Sequence, residues 1–285
     1  MKRLLVLLSL LLINCQESPE SLQGTAVDSA QGQGIIGGAT VPVQSDLSQM
    51  VVSVRTYYNT RVEIINGQKV EINDVFQCTG IPLSRQLILT AGHCLMTPDG
   101  YLRTVEFKTK AGEHLAYAEE TFVLPEQYKA GNQDFDFGIL KLKKQLPQDI
   151  IITPLMDHSV GDLRSVLAAG YGRTNGVWSD IKGDGANTLR SVQLRVSAFS
   201  KNENRFRVQQ TQGKGFCQGD SGGPAFARIK GQTYVVGIAS KTTRSSGEPA
   251  TADTERCTDE GIYINVQKQF GMILELARSL TPVQD

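Results

Sequence analysis

The sequence has no excess of charge of either sign, no apolar run long enough to cross a bilayer, and few side chains that bind metals. Its 29 basic and 29 acidic residues cancel, so it lacks the charge that would hold a nucleic acid. Its three histidines and five cysteines match no zinc-binding spacing, and we expect no metal and no other cofactor. What remains, 40% hydrophobic and 20% charged residues, is the composition of an ordinary globular protein.

The amino terminus has the features of an export signal. Lys2 and Arg3 precede a mostly apolar run over residues 4–13, which is too short to span a bilayer. The following "LLINC" resembles the lipobox of bacterial lipoproteins, which predicts a lipid on Cys15 and a place in the bacterial cell envelope (periplasm or outer membrane). A plain signal peptide cut nearby is the alternative. We expect a signal peptide over residues 1–14 and a polar tether over residues 15–34.

The number of cysteines is consistent with export. An oxidising compartment favours paired thiols, and five cysteines leave one over. If Cys15 carries a lipid, four cysteines are left for two disulfides: Cys78, Cys94, Cys217 and Cys257.

The rest of the chain reads as short β-strands separated by turn residues. Runs rich in Val, Ile, Leu and Tyr begin at Met50, Gln86, Phe137, Val192, Thr233 and Gly261. After Asn265, which we expect to be a helix N-cap, apolar residues recur at helical spacing. The pattern predicts an all-β protein that closes with one helix, with halves over residues 35–147 and 148–285.

Three stretches carry residues suited to nucleophilic catalysis. In "GFCQGDSGGPAF", over residues 215–226, Ser221 is flanked by glycines that expose its backbone. A serine hydroxyl needs a histidine base, and the base needs an acid to orient it. His93 ends an apolar run in "LILTAGHC", and Asp136 precedes another in "DFDFGILKL". Asp134 is the alternative acid, but the apolar run directly after Asp136 favours Asp136.

These stretches resemble the motifs of the trypsin and chymotrypsin family of serine proteases. "IIGG" at Ile35, "LTAGHC", "DFGILKL" and "GDSGGP" occur in the family's order, and the resemblance covers nearly all of the chain from Ile35 onward. It implies two antiparallel six-stranded β-barrels packed face to face with a carboxy-terminal helix. It also implies a serine endopeptidase that forms an acyl-enzyme, acts on proteins or peptides and is a monomer.

The resemblance assigns roles to individual residues. It implies His93 as general base, Asp136 as its orienting partner and Ser221 as nucleophile, with the backbone N–H groups of Gly219 and Ser221 as the oxyanion hole. Gly92 stands where the family usually has alanine, a change we expect to leave the triad intact. The resemblance also implies disulfides Cys78–Cys94 and Cys217–Cys257, and a substrate pocket lined by Gly215, Phe216, Ser240, Lys241, Thr242 and Gly261; Ser240 would bind the triad aspartate.

Asp220, beside the nucleophile, needs a partner because a buried unpaired carboxylate is costly. In the family that partner is the α-ammonium freed when a precursor is cut, which here implies a cut between Gly34 and Ile35. The family usually has a basic residue before the cut, so Gly34 predicts a different activating protease or self-cleavage. The same cut would release a lipid-anchored enzyme.

Two matters stay open at this level. The neutral Gly215 and the bulky Phe216 favour small or apolar substrate side chains, whereas Asp259 or Glu260 could restore a preference for basic ones. Two other functions remain as alternatives: a catalytically inactive relative that binds a partner, and a structural envelope lipoprotein.

Overall fold

The computed structural model describes residues 35–65, 68–96, 101–158, 163–174, 188–200, 202–211, 213–243, 257 and 259–281. The predictions for the signal, Cys15 and the tether fall outside these residues. The described strands are β1 (Ala39–Thr40), β2 (Val52–Ile65), β3 (Gln68–Pro82), β4 (Leu87–Thr90), β5 (Leu102–Lys108), β6 (His114–Val123), β7 (Gly138–Leu142), β8 (Ser165–Gly170), β9 (Arg190–Ala198), β10 (Arg205–Gln209), β11 (Pro224–Ile229), β12 (Gln232–Thr243) and β13 (Glu260–Asn265). The described helices are α1 (Asp46–Gln49), α2 (Glu126–Lys129) and α3 (Val266–Ser279).

The first six long strands close into one antiparallel barrel. Its order is β2-β3-β4-β7-β6-β5, and β5 pairs back with β2. Strand β4 shows why the sequence forms a barrel wall: all four residues of "LILT" are buried, with neighbours on both edges.

The remaining strands form a second antiparallel barrel. The order is β8-β9-β10-β13-β12-β11, and β11 pairs back with β8. The short β1 adds to the edge of β9. The prediction of two six-stranded barrels followed by a helix is therefore confirmed.

A shared apolar core holds the two barrels and the last helix together. It contains Ile81 and Ile139 from the first barrel, Ile238 from the second and Ile273 from α3, none of them exposed to solvent. Burial of side chains from both barrels in one core fixes the surface where they meet. The active-site residues described below lie along that surface.

Helix α3 begins directly after Asn265, as the sequence predicts, but the Asn265 side chain does not cap the helix. Asn265 occupies the N-cap position with extended backbone, yet its side chain makes no capping bond. Its amide instead donates to the carbonyl oxygens of Ser200 and Glu203 at 3.3 and 3.0 Å. Asn265 therefore fastens the helix start to a neighbouring loop.

In the part of the chain that the structure describes, no helix combines the length and apolar character needed to cross a membrane.

Candidate active site

The pairing of β4 with β7 brings His93 and Asp136 together. His93 lies in a short 3₁₀ turn after β4, and Asp136 lies just before β7, which pairs with β4 through Thr90 and Gly138. His93 Nδ1 lies 2.9 Å from Asp136 Oδ2, and the His93 backbone N–H donates to Asp136 Oδ1 at 2.9 Å. These contacts fix the imidazole and direct its Nε2 away from the carboxylate.

A bulge in β12 adds a third group to this pair. Ala239 and Lys241 pair with consecutive residues of β13, so Ser240 has no partner there. Ser240 Oγ instead donates to Asp136 Oδ2 at 2.5 Å. Burial alone would raise the pKa of Asp136, but the bonds and charge of His93, together with Ser240, lower it below its usual value. Asp136 is therefore held as the anion that an imidazolium requires.

Gly92 makes room for an aromatic ring beside the pair. A Cβ at Gly92 would lie 2.8 Å from Tyr128 Cε1 and 3.2 Å from Asp136 Oδ1. Burial, with the charge and side-chain hydrogen bond of Asp136, raises the pKa of Tyr128. The ring occupies the space that an alanine methyl group would take.

The other acid of the motif, Asp134, lies elsewhere. Its Oδ1 is 2.8 Å from Arg205 Nη2, and both side chains are about one-third exposed. Arg205 belongs to β10 of the second barrel, so this ion pair joins the loop that carries Asp136 to the opposite barrel. Asp136, by contrast, is only 2% exposed.

Ser221 lies against β3, and the next residue, Gly222, lies against β4, the strand that leads to His93. The backbone N–H of Thr79 donates to Ser221 O at 2.8 Å, and a Cβ at Gly222 would meet Thr90 Oγ1 at 2.1 Å. In this arrangement the described contacts include no hydrogen bond between Ser221 Oγ and the His93 ring. Such bonds are often long in free enzymes and shorten when substrate binds.

Two N–H groups beside Ser221 are oriented by the carbonyl groups of their own peptide bonds. Arg173 N–H donates to Gln218 O at 2.8 Å, and Gly223 N–H donates to Asp220 O at 2.9 Å. Because a trans peptide directs its N–H opposite to its C=O, the N–H groups of Gly219 and Ser221 point away from those partners. Within the described residues neither N–H has a protein acceptor, so both can receive an oxyanion.

The turn at Gly219 needs glycine, and a threonine that sequence reasoning missed holds it. Gly219 has φ +94°, and a Cβ there would lie 2.8 Å from Gly172 Cα. Thr79 Oγ1 donates to Gly219 O at 2.9 Å and accepts from Tyr171 N–H at 3.1 Å. Thr79 follows Cys78, the predicted disulfide partner of Cys94. That position in the sequence was the only signal that could have identified it.

The Asp220 carboxylate fastens residues 217–221, which we call the nucleophile loop. It is 1% exposed and accepts the N–H groups of Gly172 at 2.7 Å and Cys217 at 2.8 Å, one on each oxygen. Burial raises its pKa to about 7, although the two N–H donors and the charge of Arg190 oppose this.

The segment after the predicted cut is docked beside this loop. Ile35 is fully buried among apolar side chains of the second barrel, including Phe216. Gly215 N–H donates to Ile36 O at 3.0 Å. Ile35 has φ +32°, which is uncommon for a branched residue. Gly34 lies outside the described residues.

The floor of the predicted pocket is filled. A Cβ at Gly261 would lie 2.3 Å from Phe216 Cε1 and 2.4 Å from Gln210 Oε1. The Phe216 ring is 3% exposed and packs edge-on against Tyr263 at 4.9 Å between ring centres. Gln210, which sequence reasoning missed, bonds both the N–H and the C=O of Phe216 and the C=O of Cys257. Gln210 belongs to none of the sequence motifs, because its role comes from contacts with residues on other segments of the barrel.

The pocket wall lies on β12. Its pairing with β11 stops at Ile238, before residues 240–243. Lys241 is exposed, and Thr242 pairs with Gly261 on the other edge. Glu260, one of the two candidate acids, binds Arg207 Nη1 at 2.8 Å.

Two disulfides brace the site. Cys78 is joined to Cys94, which fastens β3 to the His93 turn, and Cys217 is joined to Cys257 across the pocket. Cys78, His93 and Cys94 bring their donor atoms within 4.8 Å of one another. Because the two sulfurs are bonded to each other, they offer no thiolate for a metal.

Comparisons with known proteins identify the family to which the sequence is similar. Residues 51–271 match the family described as Trypsin. A chymotrypsin of Phaedon cochleariae is 25% identical over 193 residues, which cover 57% of this chain and 68% of the relative. The venom serine protease Bi-VSP of Bombus ignitus is 27% identical over 190 residues, which cover 59% of this chain and only 53% of that relative.

Proposed function

The chain belongs to the trypsin family, and from that membership and the arrangement of its site we propose that it is a serine endopeptidase. The observation that carries the proposal is the contact of His93 with the buried Asp136, beside a serine whose neighbouring N–H groups have no acceptor among the described residues. The substrates are proteins or peptides, and we propose that the enzyme acts as a monomer.

In the first half of the reaction Ser221 Oγ attacks the carbonyl carbon of the scissile peptide bond. His93 Nε2 takes the hydroxyl proton, while Asp136 holds Nδ1–H and stabilises the imidazolium. The N–H groups of Gly219 and Ser221 donate to the oxygen that becomes negative. His93 then returns the proton to the departing amine, and the acyl group stays on Ser221.

In the second half water replaces the amine. His93 takes a proton from the water as the hydroxide attacks the acyl carbon, and the same two N–H groups stabilise the second tetrahedral intermediate. Collapse of that intermediate breaks the bond between the acyl carbon and Ser221 Oγ, His93 returns its proton to Oγ, and the acid is released.

We propose that the primary pocket accepts small side chains. Phe216 and Gln210 occupy the space beside Gly261 where a long side chain would extend. A preference for basic side chains is less well supported, since the Glu260 carboxylate is already paired with Arg207. A peptide library with varied residues before the cut tests this, and efficient cleavage only after Lys or Arg would contradict it.

We further propose that the chain is made as an exported precursor, anchored through a lipid on Cys15 and cut between Gly34 and Ile35. The docked position of Ile35 and the adjacent buried Asp220 support the cut. Amino-terminal sequencing of the most active species tests it, and a first residue other than Ile35 would refute it. Mass spectrometry of the uncut chain tests the lipid.

The enzyme proposal is tested with protein that begins at Ile35. A fluorophosphonate should label it, and Ser221→Ala should abolish the label, because the reagent forms a bond to an activated serine. Ser221→Ala or His93→Ala should also lower turnover by about 10⁶ if the triad acts as a unit. Absence of labelling in protein that is folded by circular dichroism would favour an inactive relative that binds a partner.

A further inference from the structure

Asp220 can hold the nucleophile loop only as an anion. Its two oxygens each accept one backbone N–H, from Gly172 and from Cys217. A protonated carboxyl carries an O–H that would face one of those N–H groups, so one of the two bonds would be lost. Since burial opposes the anion, a positive charge is needed to keep the loop in place.

A buried arginine lies on the same face of the sheet as this carboxylate. Arg190 is the first residue of β9, is 5% exposed, and is directly opposite Gly170 of β8. A Cβ at Gly170 would lie 2.2 Å from Asp220 Oδ1, so the side of the sheet to which a side chain at this position would point faces the carboxylate. Residues directly opposite in antiparallel strands point to the same face, with Cβ atoms about 5 Å apart. The Arg190 side chain therefore starts beside Asp220.

Arg190 is also next to the segment that follows the predicted cut. Its other neighbour in the sheet is Thr40 of β1, five residues after Ile35. Arg190 Nη1 donates to Thr188 O at 3.1 Å. The guanidinium stays charged at physiological pH, and its charge lowers the pKa of Asp220. The other titratable group coupled to Asp220 is Tyr263, a buried phenol whose pKa lies well above its usual value.

The docked segment that follows the predicted cut and the two bonds of Asp220 occur together in the structure. Ile35 is peptide-bonded to Gly34 in the chain, yet Ile35 is fully buried and Ile36 bridges to Gly215. Asp220 holds both of its N–H donors in the same structure.

We propose that Arg190 is a resident counter-charge for Asp220 that positions the nucleophile loop in the uncut chain, so that Ser221 reacts before any cut at Ile35. This inference rests on the proposed serine endopeptidase function. The cut then adds a second positive charge to a site that already works in part. Arg190 acts through Asp220 and touches no substrate, so it is a positioning residue.

The test compares labelling rates in two forms of the protein. One form is the uncut chain, and the other begins at Ile35; intact mass after fluorophosphonate labelling ensures that only uncut chains are counted in the first. Each form carries Arg190, Arg190→Gln or Arg190→Lys, with Ser221→Ala as background. Arg190→Met is a second charge-free variant in case the glutamine variant does not fold. The labelling rate is measured from pH 5.5 to 9.

We expect the uncut wild-type chain to label above background, with a rate that falls as Asp220 is protonated near pH 7. Loss of the Arg190 charge should raise that midpoint by about one unit and lower labelling at pH 7 about fivefold in the uncut chain. Arg190→Lys should retain most of the rate. In the form that begins at Ile35, the wild type, Arg190→Gln and Arg190→Lys should label at the same rate, because the α-ammonium supplies the charge.

Three results would overturn the inference. If the uncut chain does not label while the form beginning at Ile35 does, Arg190 is insufficient and the endopeptidase proposal stands. If the charge-free variants lose equal activity in both forms, or if Arg190→Lys behaves as they do, Arg190 has only a packing role. If neither form labels, the proposed function fails and this inference fails with it.

Discussion

At the scale of single residues, the absence of a side chain at Gly92 leaves room for the ring of Tyr128. The family usually has alanine at this position, and sequence comparison suggested that the change was harmless. In the structure the Tyr128 ring fills the space. The glycine and the tyrosine are therefore a matched pair beside His93 and Asp136.

Gly92→Ala should lower kcat/KM about tenfold or more, because a Cβ 2.8 Å from the ring must displace Tyr128 or Asp136, and small shifts of catalytic groups are costly. Adding Tyr128→Leu, which removes the ring, should make the alanine tolerable. Tyr128→Phe keeps the ring and serves as the control. Steady-state kinetics on a peptide substrate checks this; equal effects of Gly92→Ala in the Leu and Phe backgrounds would rule out the clash.

Thr79→Val should lower kcat while changing KM little. The valine has nearly the same shape but leaves Gly219 O and Tyr171 N–H without their hydroxyl partner. Loss of a buried hydrogen bond costs about 1–3 kcal/mol, which here would loosen the peptide that orients the oxyanion donors. Thr79→Ser keeps the hydroxyl and should retain most of the rate. If the Val and Ser variants have the same kcat, the hydroxyl does not hold the loop.

At the scale of secondary-structure elements, apolar runs predicted the buried strands well. The runs at Gln86, Phe137 and Thr233 appear as β4, β7 and β12, because a strand buried on both faces leaves a continuous apolar signature. The β2–β3 hairpin was only partly predicted. It extends far past the residues of β2 that pair with β5, and polar residues interrupt its outer part. In the sequence, the letters NG at positions 66–67 are a signal typical of hairpins.

The connection between the Asp136 loop and β10 gives a prediction at this scale. Arg205→Ala should lower kcat/KM more than Arg207→Ala does, because Arg205 binds Asp134 across the two barrels while Arg207 binds Glu260 within one barrel. A partly exposed ion pair stabilises by only about 0–1 kcal/mol, so the effect should be severalfold at most. Exchanging the two charges, Asp134→Arg with Arg205→Asp, should restore part of the loss. Equal losses for Arg205→Ala and Arg207→Ala would show that the cross-barrel contact does not matter for catalysis.

At the scale of the whole molecule, an apolar core joins the two barrels, while a buried charge makes the free energy of unfolding depend on pH. Asp220 has a pKa of about 7 in the fold and an ordinary value of 3.8. Between those pH values the folded chain binds more protons than the unfolded chain. Its free energy of unfolding should therefore fall as pH rises through that window.

For the uncut Ser221→Ala chain, this fall between pH 4.5 and pH 7.5 has an upper limit of about 4 kcal/mol, at about 1.4 kcal/mol per pKa unit. Urea unfolding at both pH values measures it. The same chain with Asp220→Asn should lack this component, while Asp136 and the other acids titrate equally in both and cancel in the difference. A difference between the two chains that does not change with pH would contradict the raised pKa of Asp220.

The sequence alone predicted the class of fold, which the structure confirms, and the candidate reacting side chains. A nucleophile between glycines, a histidine after an apolar strand and an aspartate before one are local patterns, because backbone conformation and strand burial are decided by near neighbours. The tertiary structure alone decided that Gln210 packs against Gly261, that Thr79 holds Gly219, and that Arg190 lies opposite the glycine facing Asp220. These residues act through contacts between distant segments, where buried polar groups must find partners that no spacing along the chain reveals.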